Sequence, residues 1–160
     1  MAILLQQRVK LILTFLTDHL CDCSSLLEGY SMAFSEKILN LKTLIVEDNA
    51  SFREILKDKL QTLFSSMAIY KTAEGREALQ KLDALEPDLV FMDIRLPGEN
   101  GIQLTQKIRA KYPNTKVIIL TSYDSLQYRG AAIQSGGNCY IPKDSLGYIQ
   151  IEKLVEALIE

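Results

Sequence analysis

Short apolar runs alternate with segments of helical spacing from residue 42 to residue 160. The runs are rich in Val, Ile and Leu, which is typical of β-strands, and they cover residues 43–46, 67–70, 89–92, 116–120 and 139–141. Between and after these runs, apolar side chains recur every three or four residues, which indicates amphipathic helices. The predicted helices are 50–64, 74–85, 102–112, 125–135 and 146–159.

Strict alternation of strands and helices predicts an α/β fold with a parallel sheet. The predicted strands are apolar throughout rather than at every second position, so helices should cover both faces of the sheet. In such doubly wound sheets, ligands bind at the carboxyl ends of the strands. We therefore expect the chemistry of residues 42–160 in the loops that follow the strands.

Residues 1–41 form a separate helical N-terminal extension in this interpretation. Residues 3–20 carry large apolar side chains at helical spacing, and residues 21–41 are broken by Ser and Gly, as in a connector. The apolar run is too short and its flanks are too polar for a signal peptide. Because this helix has too much apolar surface to leave in water, it should cover part of residues 42–160, bind a partner or pair with a second copy of the chain. We favour pairing, because five predicted helices already cover the five predicted strands. Deletion of residues 1–40 should then leave a folded, more monomeric domain.

Composition narrows the classes of function. The 160 residues carry 18 Lys and Arg against 20 Asp and Glu, a net charge of −2, so no basic excess favours direct binding of nucleic acid. No apolar stretch approaches the roughly 20 residues that span a bilayer. Three Cys are too few for a disulfide scaffold and fit a reducing compartment, so we expect a cytoplasmic chain. A single His argues against a catalytic triad or a multi-histidine metal site.

Polar and charged residues stand where four of the predicted strands end. Glu47 and Asp48 follow the first strand, Asp93 follows the third, Thr121 the fourth and Lys143 the fifth, with one or no residue between. Each residue taken alone has a structural explanation, such as a helix cap or a solvated charge. Because parallel strands open on the same edge of the sheet, however, these side chains should converge in one crevice.

The predicted crevice holds three carboxylates, which repel one another unless their pKa values rise or a cation joins them. Mg²⁺ is the natural cation, because it prefers hard oxygen ligands. Three carboxylates, the ammonium of Lys143 and a divalent ion sum to zero charge. A phosphoryl group could then sit on Asp93, held by Lys143, by the hydroxyl of Thr121 and by the metal. The residues therefore predict metal-assisted phosphoryl transfer to a carboxylate.

Four segments resemble the receiver domains of two-component response regulators, in family order and spacing. They are 44–49 (LIVEDN), 87–101 (PDLVFMDIRLPGENG), 117–123 (VIILTSY) and 140–144 (YIPKD). The resemblance covers residues 42–160. Details of the last two segments look most like receivers of LuxR-type regulators, which usually carry a helix-turn-helix output domain. The resemblance implies a flavodoxin-like, five-stranded sheet in the order 2-1-3-4-5, with helices on both faces.

The resemblance implies a magnesium site and a phosphoacceptor. Asp48 and Asp93 match direct ligands of Mg²⁺, Glu47 matches an acid that usually acts through water, and the backbone carbonyl of Arg95 matches a third protein ligand. Asp93 also matches the phosphoacceptor, which takes its phosphoryl group from a phosphohistidine on a sensor histidine kinase or a phosphotransfer protein. The chain would promote its own phosphorylation and dephosphorylation without being an enzyme in the usual sense.

The resemblance also implies a switch. Lys143 matches the lysine that contacts the phosphoryl oxygens, Thr121 matches the switch hydroxyl, and Tyr140 matches the aromatic residue that turns inward when Thr121 moves. Ser122 and Asp144 depart from the family pattern, in which Ala and Pro are commoner, so a cis peptide bond after Lys143 is less assured. We expect phosphorylation to change the surface around the fourth predicted helix.

Four alternatives compete with phosphoryl transfer by this chain alone. An inactive receiver could serve purely as a docking module, which a phosphorylation assay would reveal. The chain could also be the receiver part of a DNA-binding transcription regulator whose output domain is absent here. A flavin carrier is disfavoured because Glu47 and Asp48 would repel a flavin phosphate. An aspartyl phosphatase is disfavoured because Arg95 stands where that reaction needs a second acid.

Overall fold

The computed structural model describes residues 40–122 and 126–159. Strands and helices alternate throughout this part of the chain. The strands are β1 (Lys42–Val46), β2 (Ala68–Thr72), β3 (Leu89–Asp93), β4 (Lys116–Thr121) and β5 (Cys139–Pro142). The helices are α1 (Ala50–Leu63), α2 (Gly75–Leu85), α3 (Gly101–Lys111), α4 (Leu126–Gln134) and α5 (Tyr148–Ile159), and a 3-10 turn covers Lys143–Ser145.

The five strands form one parallel sheet in the order β2-β1-β3-β4-β5. The doubly wound α/β fold and its strand order are therefore confirmed. Val46 of β1 pairs with Met92 of β3, and Thr121 of β4 pairs with Pro142 of β5. The carboxyl ends of these strands consequently lie side by side, at the edge where the sequence places its charged residues.

The core has two layers, because side chains of the central strands alternate between the two faces of the sheet. One layer packs against α1 and α5 and includes Ile45 and Phe91. The other packs against α2, α3 and α4 and includes Leu44 and Val90. All four side chains are fully buried, which explains why the sequence of each central strand is a continuous apolar run.

The exposure of the edge strands differs from the sequence prediction, and two element boundaries differ from it by two residues. β2 and β5 are half-buried along most of their length, because each has a neighbouring strand on one side only. The second strand runs on to Thr72 rather than ending at residue 70, since its pairing with β1 continues that far. The last helix begins at Tyr148 rather than residue 146, because the chain first makes the 3-10 turn and buries Leu146.

The predicted helix 3–20, its proposed pairing and nearly all of the connector 21–41 lie outside the described residues. Within residues 40–122 and 126–159, no helix has the length and apolar character needed to cross a membrane. The same residues contain no cis peptide bond, so the bond from Lys143 to Asp144 is trans, in line with the absence of Pro at that position.

Candidate functional site

The end of β1 supplies an acidic pair, Glu47 and Asp48, whose members differ in exposure. Glu47 is fully buried, whereas Asp48 is exposed. The backbone N–H of Glu47 donates to the carbonyl of Thr72 (3.0 Å), which keeps it aligned with the neighbouring strand. Asn49 then caps α1, and its side chain accepts a hydrogen bond from the N–H of Phe52 (3.0 Å). The helix therefore starts directly after the acidic pair and fixes where both residues leave the sheet.

Asp93 ends β3 as a nearly buried residue, 4% exposed, and the loop after it folds back onto its backbone. The N–H of Ile94 donates to Leu120 of β4 (3.2 Å), and the N–H of Gly101 returns to the carbonyl of Ile94 (2.9 Å). A Cβ at Gly101 would lie 1.9 Å from the carbonyl oxygen of Asp93, so only glycine fits there. The start of α3 thus packs directly on the main chain of the acidic residue.

Lys143, the residue after β5, bridges the two buried carboxylates. Its Nζ lies 2.8 Å from Oε1 and 2.7 Å from Oε2 of Glu47, and 3.0 Å from Oδ2 of Asp93. The lysine side chain is only 12% exposed, so water competes little for these contacts. Removing the ammonium would leave two buried carboxylates without compensation, whereas removing one carboxylate would leave a balanced pair.

Burial raises the pKa of both Glu47 and Asp93 from the ordinary carboxyl value. For Glu47, burial outweighs the hydrogen bond from Lys143, and the negative charge of Asp93 raises the pKa further. For Asp93, burial outweighs the attraction of Lys143 and a hydrogen bond from the backbone of Arg95. One ammonium therefore does not compensate the carboxylates fully, and the site favours an added positive charge.

These side chains line one cleft of about 350 Å³. Its walls are formed by residues 47–49, 93–95 and 121–122 and by Lys143. The five residues that the sequence places after strand ends thus lie together. Thr121 is buried, whereas Ser122 and Arg95 are exposed at the border of the cleft. The role of the Arg95 carbonyl as a metal ligand stays a prediction.

The two residues predicted to form the switch lie in different surroundings. Thr121 is in the cleft wall, while Tyr140 of β5 is half-buried and packs against the core layer beneath α2, α3 and α4. Arg129 of α4 lies over the Tyr140 ring, with its Cζ 5.7 Å from the ring centroid. Tyr140 is not one of the described residues that line the cleft.

Sequence analysis missed three residues at the start of α1: Asn49, Phe52 and Arg53. Asn49 caps the helix and lines the cleft. Nη1 of Arg53 donates to both carbonyls of the acidic pair, at 2.5 and 3.2 Å. The ring of Phe52 lies against the ammonium of Lys143. An Asn before a predicted helix is a recognisable cap signal, but the other two contacts depend on how α1 packs against the loops.

The donor set of the cleft fits a hard divalent cation. Glu47, Asp48 and Asp93 each offer a carboxylate oxygen, and these oxygens lie within 4.8 Å of one another. Oε2 of Glu47 is buried and accepts no hydrogen bond from any described residue, although the ammonium of Lys143 lies 2.7 Å away. Oxygen ligands and an excess of negative charge are what Mg²⁺ prefers, so these residues fit the magnesium site that the sequence predicts.

Comparison with known protein families gives one match that spans most of residues 42–160. The profile of the response regulator receiver domain matches residues 43–158. This match includes both edge strands and all the residues of the cleft.

Similar proteins point the same way. The transcriptional regulatory protein LnrK of Bacillus subtilis (strain 168) is 36% identical over 104 residues, which are 65% of this chain and 47% of that protein. A CheY-like response regulator receiver domain protein from Methanospirillum hungatei JF-1 is 28% identical with a TM-score of 0.67, covering 74% of this chain and 93% of that chain. A LuxR-family DNA-binding response regulator from Staphylococcus aureus shares the fold, with a TM-score of 0.69 at 23% identity, covering 75% and 99%. The chain spans about half the length of the curated relatives it matches.

Proposed function

The chain belongs to the response regulator receiver domain family, and on that premise we propose that Asp93 accepts a phosphoryl group in a Mg²⁺-dependent reaction. Receiver domains are the parts of response regulators that take up the signal in two-component systems, as the resemblance in the sequence implied. The donor would be a phosphohistidine on a sensor histidine kinase or a phosphotransfer protein. We propose that this reaction takes place in the cytoplasm.

The observation that carries this proposal is the bridge made by Lys143. One ammonium contacts both Glu47 and Asp93, and Asp48 stands within 4.8 Å of both at the level of carboxylate oxygens. A docking module needs none of these costly buried charges. A nucleophilic carboxylate with a fixed ammonium beside it and room for a cation is the arrangement that phosphoryl transfer requires.

The transfer itself needs little from the protein beyond position and charge. An Oδ atom of Asp93 attacks phosphorus, the bond from phosphorus to the donor imidazole nitrogen breaks, and that nitrogen keeps the electron pair. A donor imidazole with a proton on its other nitrogen leaves as the neutral ring. Lys143 is placed to compensate the new phosphoryl charge, and the hydroxyl of Thr121 can donate to a phosphoryl oxygen.

Four groups would hold the metal in this scheme. They are the carboxylates of Asp48 and Asp93, the backbone carbonyl of Arg95, and Glu47 acting through water. Bound Mg²⁺ supplies positive charge to the phosphoryl oxygens. The protein contributes by holding its own ligand oxygens together before the phosphoryl donor arrives, so that the site reorganises little during the reaction.

The output would be a change of surface at α4 and β5. Movement of Thr121 toward a phosphoryl group would open space beside β4, and Tyr140 would move to fill it, with Arg129 losing its place over the ring. The relative LnrK is named a transcriptional regulatory protein. We infer that this receiver likewise controls transcription, through a DNA-binding domain in the same protein or in a partner.

Phosphorylation by a small donor tests the proposal. Incubation with acetyl phosphate and Mg²⁺ should add one phosphoryl group per chain by intact mass spectrometry, and Asp93→Asn should remove this labelling without unfolding the protein. Asp58→Asn is the matched control, because Asp58 is an exposed acid of α1 outside the cleft. Equal labelling of Asp93→Asn would place the acceptor elsewhere, and a folded wild-type chain that takes no label would favour a docking module.

A further inference from the structure

The ammonium of Lys143 has a neighbour that none of the predicted roles explains. Phe52, in the first turn of α1, places its ring centroid 5.0 Å from Nζ of Lys143. The same ammonium contacts Glu47 and Asp93. An aromatic ring within about 6 Å of a cation attracts it through the electron-rich face of the ring. Lys143 is therefore held by two carboxylates and a ring.

The position of Phe52 is fixed from two directions. Its backbone N–H donates to the capping side chain of Asn49 (3.0 Å), which locks the residue into the first turn of α1. Its half-buried side chain packs against the core layer that lies under α1 and α5. The ring is therefore held in place by the cap and by the core, and the lysine side chain beside it is 12% exposed.

A fixed aromatic face beside Lys143 is useful because the lysine side chain is long and flexible. A lysine side chain is flexible and its ammonium is a strongly hydrated point charge, so carboxylate contacts alone do not keep it in one place when one carboxylate changes its charge. Phosphorylation changes Asp93 in this way, and a metal ion would compete for Glu47. The contact with Phe52 does not depend on either event, because a ring does not titrate or bind the metal.

We propose that Phe52 is a positioning residue for the phosphoryl transfer at Asp93, which holds the ammonium of Lys143 in the cleft through its ring face. This inference rests on the function proposed above. It assigns to α1 a part in the reaction, in addition to its packing against the sheet. The ordinary alternative is that Phe52 only fills the core, in which case an aliphatic side chain of similar size would serve as well.

Phe52→Leu tests the ring directly, since leucine retains apolar volume and loses the π face. Phe64→Leu is the matched control, because Phe64 is buried in the same core layer at the other end of α1 and is not among the described residues that line the cleft. Phe52→Tyr keeps the ring and should restore wild-type behaviour. Phe52→Met provides a second aliphatic variant in case leucine prevents folding.

Two readouts separate positioning from packing. The first is the rate at which limiting acetic anhydride modifies Lys143, followed by peptide mass spectrometry in metal-free buffer. The second is the rate constant of phosphorylation by acetyl phosphate at saturating Mg²⁺. For Phe52→Leu we expect roughly two- to fivefold faster modification of Lys143 and a loss of similar size in phosphorylation rate. Phe64→Leu should change neither rate by more than its effect on the folded fraction.

The outcomes are distinct. Wild-type rates in Phe52→Leu, or equal changes in Phe64→Leu, would overturn the positioning role and leave Phe52 as a core residue. If the wild-type chain takes no phosphoryl group, the proposed function fails, but the modification rate of Lys143 still shows whether the ring holds the ammonium. Faster modification in both aliphatic variants, with Phe52→Tyr unchanged, would establish the contact independently of the reaction.

Discussion

Thr43 and Thr105 are both fully buried threonines, yet only one has a partner for its hydroxyl. Oγ1 of Thr105 donates to the carbonyl of Gly101 (2.7 Å), whereas Oγ1 of Thr43 in β1 has no hydrogen-bond partner among residues 40–122 and 126–159. A buried hydroxyl without a partner costs about 1–3 kcal/mol in lost hydration. We therefore expect Thr43→Val to raise the free energy of unfolding by about 1 kcal/mol.

Thr105→Val is the control for Thr43→Val, and its expected effect on stability is the opposite. Because Thr105 already makes its hydrogen bond, the same substitution there should lower the free energy of unfolding by about 0.5–1.5 kcal/mol. Urea denaturation of both variants gives the comparison. A loss of stability in Thr43→Val as large as that in Thr105→Val would mean that the hydroxyl of Thr43 has a partner after all.

The raised pKa of Asp93 makes stability depend on pH. A carboxyl whose pKa is higher in the folded than in the unfolded chain binds more protons when folded, so it lowers stability as pH rises from the unfolded pKa to the folded one. In metal-free buffer, Asp93→Asn should therefore match the wild type in acid, below the ordinary carboxyl pKa. It should become the more stable of the two toward neutral pH.

Urea denaturation of wild type and Asp93→Asn with a chelator, from about pH 3 to pH 7, measures this difference. Burial also raises the pKa of Glu47, so stability of the wild type should fall over the same range for two reasons. A stability gap that stays constant with pH would show that Asp93 titrates normally in the folded chain.

At the scale of the elements, the junction between β3 and α3 is the tightest part of the site. A methyl group on Gly101 would collide with the carbonyl oxygen of Asp93, at 1.9 Å, and with the carbonyl carbon at 2.9 Å. Both atoms belong to the main chain, so the backbone of Asp93 would have to move. We expect Gly101→Ala to cost about 1–3 kcal/mol of stability and to slow phosphorylation by acetyl phosphate in the chains that still fold.

Gly130→Ala is the matched control for this junction. Gly130 lies in α4, and a Cβ there would meet nothing within 4 Å. Since glycine weakens a helix interior relative to alanine, this variant should gain about 0.5–1 kcal/mol. Similar stability and phosphorylation of the two variants would mean that the α3 start yields easily and does not constrain Asp93.

The site residues that could be predicted from the sequence are those at the ends of strands. Asp93 and Lys143 could be found from sequence because each interrupts an apolar run, and a parallel sheet brings all such interruptions to one edge. Phe52 and Arg53 stand at ordinary helix positions with no break in the pattern around them. Their contacts arise from the way α1 approaches the end of β1, which residue spacing does not encode.

The predicted ends of strands and helices also came from the apolar pattern along the chain. The predicted β3 ended at Met92, one residue before the observed end at Asp93, because a charged side chain was taken to end the buried run. Asp93 is nevertheless buried. The prediction was wrong after β5, where it took Leu146 as the first apolar residue of the last helix. Leu146 is buried but lies before that helix, because the 3-10 turn that begins at Lys143 redirects the chain. The start of the last helix is therefore set by tertiary packing rather than by the local spacing of apolar residues.

At the scale of the whole molecule, the net charge of the chain is only −2, but the cleft concentrates negative charge in one place. Three carboxylates and the ammonium of Lys143 leave a deficit of two positive charges, which one divalent ion would remove. A ligand that binds only the folded chain stabilises it by about 1.4 kcal/mol at ten times its dissociation constant. We expect Mg²⁺ at millimolar levels to raise the melting temperature by a few degrees.

Asp48→Ala should remove most of this stabilisation, because Asp48 contributes a carboxylate oxygen to the acidic group. Asp58→Ala, which deletes an exposed carboxylate of α1 outside the cleft, should keep it. Thermal melts across a Mg²⁺ titration measure all three proteins. A melting temperature that rises equally in Asp48→Ala would assign the effect to ions bound elsewhere.

The spread of the cleft residues along the chain has a consequence for protein synthesis. The acidic pair is translated before Asp93, and Asp93 before Lys143, and parallel pairing joins them only after the intervening helices have crossed over. A nascent chain that has not yet been extended to Lys143 therefore holds the three carboxylates without their ammonium. Under the proposed function, unfinished chains take no phosphoryl groups from the donor, and only a completed receiver can enter the signalling pool.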